Sequence, residues 1–283
     1  MLFDPLILKY APWAVSKVSM LELCPKQFHL QYIEKIKPGP KSSASLVGTI
    51  IHSILEEGLK NPNVALYEFA QNACVEAKLM EADIAKVLSL IPPVRSYIER
   101  TNEFIKKTGV YIHDLEKKLA ISFALEKAEF FDKDNNLVRG ILDQVMITKD
   151  QIAILVDHKS GKKKKIDEYG VQCNVYRILI CAAYPQVRGV QCGIHHIGAP
   201  KLDWTPRPDR TMGAWTRKEV EQQLHPWLEH YLHAQVRWLE PLDEGKHQPR
   251  PGWPCEWCGF SNLCEEGKQE ILRRQQKRMS QDL

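Results

Sequence analysis

The sequence has no long hydrophobic run, no internal repeat and no glycine- or serine-rich linker. Because a transmembrane helix needs about 20 consecutive apolar residues, we expect no membrane span and no membrane partner. The first five residues, from Met1 to Pro5, include an acid and a proline and lack a basic flank. That composition argues against a signal peptide, so we expect a cytoplasmic globular protein.

The overall composition is that of an ordinary globular protein. The chain has 283 residues, of which 44% are hydrophobic and 26% charged, and its net charge is +4. This length suits one large domain, or a core domain that carries an insertion. The positive charge is compatible with a polyanionic partner but does not require one.

The hydrophobic pattern changes from helical to strand-like and back along the chain. Apolar residues at helical spacing predict helices over 15–35, 42–59, most of 63–112, 166–184 and 219–238. Runs rich in Ile, Val, Leu and Phe predict strands over 118–125, 137–148, 152–159 and 187–197. This order predicts an α/β fold with a central mixed sheet flanked by helices. We expect one domain over 1–265, with a helical insertion at about 62–112, and a basic, flexible tail over 266–283.

Two acids interrupt strands that are otherwise apolar on both faces. Asp143 follows Gly140-Ile141-Leu142, and Asp157 precedes His158-Lys159. If the two strands form an unbulged hairpin centred on Asp150, Asp143 lies directly opposite Asp157, with Cβ atoms roughly 5 Å apart. Lys159 is two residues beyond Asp157 and therefore points to the same side of its strand.

Two carboxylates at that distance repel each other unless a proton or a divalent cation lies between them. Mg²⁺ and Mn²⁺ prefer oxygen ligands, often bridge to phosphate, and can activate water for attack on phosphorus. A lysine beside them can orient that water or offset negative charge in the transition state. Asp143, Asp157 and Lys159 therefore predict a metal-dependent site for phosphodiester cleavage. The alternative is a structural Asp–Lys pair with a second acid near a turn.

Three further residues are weaker candidates for the same site. His52 lies outside the centre of the apolar arc of its helix, and a metal-ligand role competes with that of an ordinary surface histidine. Gln172 and Tyr176 are four residues apart, so they project from one side of a helix. They can reach a phosphate or the attacking water, or they can simply belong to a solvated helix face.

A run of four lysines follows the Asp157-x-Lys159 segment. It comprises Lys162, Lys163, Lys164 and Lys165. Most charge runs are solvated loops. The position of this one beside a predicted phosphate-cleaving site favours contact with a nucleic-acid backbone.

The eight cysteines fall into two groups. Four lie within apolar segments and are predicted to be small buried residues: Cys74, Cys173, Cys181 and Cys192. The other four are predicted to bind one metal centre: Cys24, Cys255, Cys258 and Cys264. Three clustered thiolates and one remote thiolate suit a 4Fe-4S cluster or a tetrahedral zinc ion, and the spacing alone does not decide between them. Either centre would join the segments at about 16–40 and 250–265.

Five short motifs precede the cysteine triplet in a fixed order. They are Cys24-Pro25, Gly48-x-x-x-His52, Gly140-x-x-Asp143, Asp157-x-Lys159 and Gln172-x-x-x-Tyr176. With these motifs the chain resembles the RecB-type branch of the PD-(D/E)XK nuclease superfamily, especially members with an iron–sulfur cluster. Such members include the AddB nuclease domain and the CRISPR-associated adaptation nucleases. The resemblance extends from residue 16 to residue 264, is weakest over 62–112, and implies a restriction-endonuclease-like core.

The resemblance implies a role for each motif. The implied ligands of Mg²⁺ or Mn²⁺ are His52, Asp143 and Asp157, with a main-chain carbonyl near His158 assisting. Lys159 would be the catalytic lysine, and Gln172 and Tyr176 would position the substrate. The cysteine quartet would hold a 4Fe-4S cluster rather than zinc. Glu116 sits where some of these nucleases place an additional acid.

Two residues depart from the pattern of this family. Gln144 stands where members often have arginine, which would weaken a contact to the substrate or around the site. His158 replaces the more usual aromatic residue and would perturb the metal or the nearby pKa values.

We therefore expect a DNA nuclease, acting as an exonuclease on single-stranded DNA or DNA ends, in a prokaryotic cell or a phage-infected host. Its setting (phage, DNA repair or CRISPR adaptation), its oligomeric state and its protein partners stay open. A catalytically silent, DNA-binding iron–sulfur scaffold subunit of a repair or recombination complex is the alternative. Such a subunit has no need of Asp143, Asp157 and Lys159 together. An unrelated zinc-stabilised interaction protein would leave the acids in the sheet unexplained.

Overall fold

The structure, a computed structural model, describes residues 3–207 and 211–280. The described chain divides into two compact units, one within 43–229 and one formed by 3–42 with 230–280. The predicted helical insertion lies in the first unit, and both predicted cluster-binding segments lie in the second. Within the described ranges, no helix combines the length and the apolar composition that a membrane span requires.

The elements follow the predicted α/β order. The helices are α1 (Pro5–Lys9), α2 (Val15–Leu23), α3 (Pro25–Phe28), α4 (Ser43–Lys60), α5 (Leu66–Glu76), α6 (Glu81–Ser89), α7 (Ile91–Thr108), α8 (Gly170–Ala183), α9 (Arg217–Glu219), α10 (His225–His233), α11 (Val236–Asp243) and α12 (Glu265–Met279). The strands are β1 (Ile112–Ser122), β2 (Lys127–Ala128), β3 (Asn136–Ile147), β4 (Ile152–Lys159), β5 (Gly189–His196), β6 (Asp203–Trp204) and β7 (Trp215–Thr216). Short 3-10 or π-helical turns cover His29–Ile33, Ile166–Tyr169, Val220–Leu224, Trp253–Trp257 and Ser261–Leu263.

One mixed sheet forms the centre of the first unit. Its strand order is β2-β1-β3-β4-β5-β6, and β7 also pairs with β5. β1, β3 and β4 are antiparallel neighbours. β4 and β5 run parallel, because the chain crosses over through α8 between them. The predicted fold class, a mixed sheet flanked by helices, is confirmed.

Helix α4 and the predicted helical insertion, which contains α5 to α7, pack on the sheet. Ile51, Ile54 and Leu55 of α4 belong to a core that also contains Met146 and Val156 of the sheet. Their spacing of three and four residues makes one continuous apolar stripe, which a helix can bury. Pro92 and Pro93 stand in the first turn of α7, where a missing N–H breaks no helical hydrogen bond.

β1 begins at Ile112, six residues before its predicted start, and ends at Ser122 rather than at 125. Its first half carries Asp114, Glu116 and Lys117, and these polar residues hide the strand pattern. They belong to the sheet nevertheless, since their segment pairs with the end of β3. The prediction of a strand over 118–125 was therefore wrong at both ends.

Two of the predicted long helices are interrupted. In the segment 15–35, α2 ends at Leu23, Cys24 is extended with φ of −157°, and Pro25 begins α3. The segment 219–238 is divided among α9, a π-helical turn, α10 and α11. An apolar stripe continues across such breaks, so hydrophobic spacing alone does not reveal them.

α12 occupies most of the segment 266–283, for which the sequence predicted a flexible tail. Glu270 accepts hydrogen bonds from Arg273 and Arg274 at 2.7 and 2.8 Å, and Arg278 donates to Glu256 at 2.9 Å. Charge pairs three or four residues apart each stabilise a helix by about 0.2–0.5 kcal/mol. The composition of the segment does not show this stabilisation, because it depends on the spacing of the charges. The structure thus differs from the prediction here, and residues 281–283 lie outside its described part.

Gly58 permits the close packing of α4 against its neighbours. A Cβ at this position would lie 2.3 Å from Cδ1 of Ile98 and 3.1 Å from Cδ2 of Leu66. Gly58→Val should therefore lower the free energy of unfolding by about 1–3 kcal/mol, as measured by urea denaturation, because the added side chain overpacks the core.

The matched control for that variant is Gly170→Ala at the start of α8. A Cβ there meets nothing within 4 Å. Because alanine also restricts the unfolded chain, Gly170→Ala should be neutral or stabilising by up to about 1 kcal/mol. Equal stability of the two variants would contradict the packing described for α4.

Candidate active site

The hairpin of β3 and β4 has the register that the sequence predicted. Its paired residues run from Ile147 with Ala153 to Gln144 with Val156. Extending that register by one residue places Asp143 opposite Asp157. The backbone ladder stops there, and the N–H of His158 donates instead to Oδ2 of Asp143 at 2.7 Å.

A third acid comes from β1. The pairing of Leu115 with Gln144 and of Lys117 with Leu142 places Glu116 opposite Asp143. Glu116 has φ of 48°, a left-handed conformation that is uncommon outside glycine and recurs at functional sites. Glu116, Asp143 and Asp157 thus follow one another across three neighbouring strands.

The sequence predicted Glu116 only as a counterpart of an extra acid in other nucleases, not as a residue of this site. The pairing register of β1 with β3 is the signal that identifies it. Because the polar half of β1 was not predicted as a strand, its pairing with β3 could not be derived. A strand beginning at Ile112 would have placed Glu116 beside Asp143 directly.

α4 brings His52 to these acids. Gly48, one turn earlier, lies close to the end of β4, since a Cβ there would be 3.0 Å from Oγ of Ser160. His52 Nδ1 lies 3.7 Å from Oδ2 of Asp143. One donor atom each from His52, Glu116 and Asp143 all lie within 4.8 Å of one another. That spacing is compatible with ligands around a single ion.

Lys159 and Gln172 both bind the carboxylate of Asp157. The Lys159 ammonium lies 2.6 Å from Oδ2 of Asp157, and Gln172 Nε2 donates to Oδ1 at 2.7 Å. Gln172 also donates to the Tyr176 hydroxyl at 2.7 Å, and that hydroxyl donates to the carbonyl of Ile141 at 3.0 Å. The Gln–Tyr pair of α8 therefore belongs to the same network as the predicted triad, rather than to a solvated face.

Burial governs the protonation of the three acids. Burial and then the charge of Asp157 raise the pKa of Asp143, against the opposing effects of the His158 N–H and of Lys159. Burial raises the pKa of Asp157 despite Lys159 and Gln172. Burial and Asp143 together raise the pKa of Glu116. Neighbouring acids with raised pKa values favour a shared proton or a bound cation.

The donor set fits a divalent cation. Carboxylate oxygens are the ligands that Mg²⁺ prefers, and Mn²⁺ also accepts an imidazole. A cation between Glu116, Asp143 and His52 would offset the repulsion that otherwise keeps a proton there. The oxygens of Asp157 are engaged by Lys159 and Gln172, so Glu116 is a candidate ligand that the predicted set lacked.

The side chains of Gln144 and His158 belong to a second, buried polar network. Gln144 is 0% exposed and bonds to Tyr97 and His113, so the substrate contact expected at its position is not available to it. His158 Nδ1 lies 3.0 Å from Nδ1 of His195. Burial and the nearby His195 hold the pKa of His158 well below its usual value. At the acids, His158 acts through its main-chain N–H.

The lysine run lies in the exposed loop that follows β4. Lys163 pairs with Asp203 at 2.7 Å. The same loop leads into the turn that carries Tyr169, whose ring centre is 5.7 Å from Nζ of Lys159. The run therefore starts beside the acids, as its position in the sequence suggested.

The four predicted ligand cysteines converge within the second unit. They line one small cavity, which Lys26 and Arg250 also border. The N–H of Gly39 donates to the carbonyl of Gly259 at 2.7 Å and so ties the segment after α3 to the segment after Cys258. The other four cysteines, predicted to be buried, are buried: Cys74, Cys173, Cys181 and Cys192.

The profile of the PD-(D/E)XK nuclease superfamily matches residues 12–265. Because the match covers most of the chain, the protein belongs to the PD-(D/E)XK nuclease superfamily. Nucleases of this superfamily use divalent metals such as Mg²⁺, in agreement with the group formed by His52, Glu116 and Asp143.

Three solved structures are similar to this chain at low identity. An exonuclease candidate from Eubacterium rectale is 13% identical, with 88% of this chain and 89% of that chain covered and a TM-score of 0.43. The protein SSO0001 is 12% identical, with coverages of 88% and 96% and a TM-score of 0.32. The protein VC1899 from Vibrio cholerae is 10% identical, with coverages of 83% and 58% and a TM-score of 0.27. No curated protein sequence matches the chain.

Asp143→Asn should change stability in opposite directions without and with metal. Because burial and Asp157 raise the pKa of Asp143, the folded wild type binds a proton that the unfolded chain releases near pH 4. The metal-free wild type therefore loses stability as the pH rises from about 4 through the raised folded pKa. The variant avoids that loss and should be more stable than the wild type at pH 8 in EDTA, by on the order of 1 kcal/mol.

Thermal unfolding at pH 5 and pH 8, with EDTA and with Mn²⁺, measures both effects. Mn²⁺ should stabilise the wild type and the control variant Asp150→Asn, whose substitution lies at the hairpin turn, but not Asp143→Asn. An unchanged Mn²⁺ response in Asp143→Asn would remove Asp143 from the metal site.

Proposed function

We propose that this protein is a deoxyribonuclease that hydrolyses phosphodiester bonds with Mg²⁺ or Mn²⁺, acting as an exonuclease on single-stranded DNA or on DNA ends. The observation that carries the proposal is the row of Glu116, Asp143 and Asp157 across β1, β3 and β4. His52 and Lys159 lie beside that row. A structural Asp–Lys pair would require neither the additional acids nor the histidine, and buried charges without a role are costly.

Assignment to the RecB-type branch is supported by two motifs that have defined contacts. Gly48 of the Gly48-x-x-x-His52 motif allows α4 to lie against Ser160, which brings His52 to Asp143. Gln172 and Tyr176 of the second motif connect Asp157 to the main chain of β3. Both motifs therefore serve the site that the branch is expected to contain.

His52, Glu116 and Asp143 would hold the cation, next to Asp157. When bound, the cation would polarise the scissile phosphate and lower the pKa of the attacking water. The Lys159 ammonium, held 2.6 Å from Asp157, would offset negative charge that develops on the phosphate oxygens. Gln172 and Tyr176 would keep the Asp157 carboxylate in one orientation, because Tyr176 is itself fixed to the carbonyl of Ile141.

The lysine loop would contribute to DNA binding rather than to the chemical step. Lys162, Lys164 and Lys165 are exposed in the loop that follows β4 and would contact backbone phosphates of the bound strand. Lys163 is paired with Asp203 and is less available. Such contacts carry no sequence information, which suits a nuclease that degrades DNA of any sequence.

Lys159→Ala and Asp157→Ala should each lower the rate of DNA cleavage by at least about 100-fold. Lys159 carries the positive charge that would offset the reacting phosphate, and Asp157 holds that ammonium in place at 2.6 Å. The assay is cleavage of end-labelled single- and double-stranded DNA with Mn²⁺ and with EDTA. Lys127→Ala, an exposed lysine on β2, is the control and should cleave at the wild-type rate.

Several results would change the proposal. Full activity of either site variant would rule out this assignment of the site. Cleavage only at internal positions would rule out the exonuclease action. A well-folded, iron-loaded wild type that binds DNA without cutting it would indicate the catalytically silent scaffold.

We also propose that Cys24, Cys255, Cys258 and Cys264 hold a 4Fe-4S cluster. The four cysteines line one small cavity, so they can serve a single centre. The preference for a cluster over zinc rests on the resemblance of the motifs to nucleases that carry one. The nearby Lys26 and Arg250 would offset its negative charge.

Cys258→Ala should lower the iron content from roughly four atoms per chain to near zero and reduce solubility, because one thiolate ligand is lost. Iron and zinc analysis of anaerobically purified protein measures this. Cys181→Ala, a buried cysteine outside the quartet, should keep the full iron content. Stoichiometric zinc in the wild type would contradict the cluster and favour a zinc site.

A further inference from the structure

A cavity separate from the acids lies between α7, the strands β3 to β5 and residues 200–204. Its volume is about 250 Å³. Neither Asp157 nor Lys159 lines it. Pockets for drug-sized ligands measure roughly 300–1,000 Å³, so this one lies just below that range and has room for a single substituted ring system.

The interior of the cavity is aromatic and apolar. Phe104 of α7 and Trp204 of β6 both contribute to its walls, together with Met146 and Ile154. The indole of Trp204 lies directly on β5, because a Cβ at Gly193 would be 2.8 Å from a ring carbon. Glycine at that position therefore makes room for the ring. Flat aromatic walls of this kind suit a planar ligand that can stack.

Two polar side chains inside the cavity have hydrogen-bonding capacity to spare. His195 is 1% exposed, and its Nδ1 contacts Nδ1 of His158. Its other ring nitrogen, Nε2, can therefore bond to a different partner. In the described part of the chain, neither His195 Nε2 nor the side-chain amide of Gln191 has a hydrogen-bond partner. Because polar groups inside a pocket usually pair with something, these two are suited to the edge of a bound ring.

The mouth of the cavity is positively charged. Arg100 and Lys201 both line it and both are exposed, and no carboxylate is among its described lining residues. Among the residues that the structure describes, Arg100 donates only to the Ser96 hydroxyl, through one nitrogen at 2.8 Å, which leaves its other N–H donors for a ligand. An anionic group at the mouth would satisfy both cations.

We propose that this cavity binds a nucleoside monophosphate group, with the base inside against Trp204 and the phosphate at Arg100 and Lys201. The group can come from a free nucleotide or from the terminal nucleotide of a nucleic acid, since both present the same base and phosphate. This site goes beyond the proposed nuclease activity and does not depend on it.

Isothermal titration calorimetry of the full chain in EDTA, with dAMP and with deoxyadenosine, tests the proposal. We expect dAMP to bind at least about tenfold more tightly than deoxyadenosine, because only dAMP carries the phosphate. Arg100→Ala and Lys201→Ala should each remove most of that difference while leaving the affinity for deoxyadenosine unchanged. Arg95→Ala, another exposed arginine of α7, is the control and should bind both as the wild type does.

A short deoxyadenosine oligonucleotide with a terminal phosphate distinguishes the two sources. If its affinity depends on Lys201 as that of dAMP does, the terminal nucleotide of a chain can occupy the cavity. If only dAMP depends on Lys201, the occupant is a free nucleotide. Either result supports the site.

Three results would overturn the proposal. They are absence of dAMP binding, equal affinity of the wild type for dAMP and deoxyadenosine, and dAMP binding that is lost in Lys159→Ala but kept in Lys201→Ala. The last would place the nucleotide at the acids. As a second measurement, photolabelling with 8-azido-dAMP should modify the peptide that contains Trp204. Because every arm measures binding without metal, an inactive wild type would refute the nuclease while leaving this site testable.

Discussion

The mutual repulsion of three neighbouring carboxylates, of which Asp157 is buried and Glu116 and Asp143 are half-buried, is the constraint on which the first unit depends. Glu116, Asp143 and Asp157 stand on three adjacent strands, and burial raises the pKa of each. An apolar sheet would be more stable without them, since each charge must be hydrated, paired or neutralised. Their presence is understandable if a cation completes the site, because the cation converts three unfavourable charges into ligands.

The surrounding structure holds these acids through contacts from different elements. The His158 N–H binds Asp143 from the neighbouring strand, and Gln172 binds Asp157 from α8. Behind the strands, Gln144 is bonded to Tyr97 of α7, which fixes the opposite surface of the hairpin. The site therefore depends on the relative positions of two helices and three strands, and a small shift of any of them would change the spacing of the donors.

The proposed cluster would apply a similar constraint to the second unit. Cys24 comes from the N-terminal segment and the other three thiols from the C-terminal segment, so one centre would close a very long loop of chain. Closing such a loop in the folded state removes conformational freedom that the unfolded chain would otherwise have. This accounts for a stabilising role of the proposed cluster that requires no redox change.

The sequence by itself determined the α/β order, the opposition of Asp143 and Asp157 and the separation of the cysteines into two groups. These features depend on residues that are close together in the sequence: the alternation of side chains along a strand, the length of one turn and the spacing of the cysteines. Only the tertiary structure decided that Glu116 joins the acids and that His52 reaches them. It also decided where the long helices break, how α12 is held, and that a cavity forms under α7. The reason is physical: these features arise where elements distant in sequence pack together, and hydrophobic periodicity records which face of an element is buried but not what it is buried against.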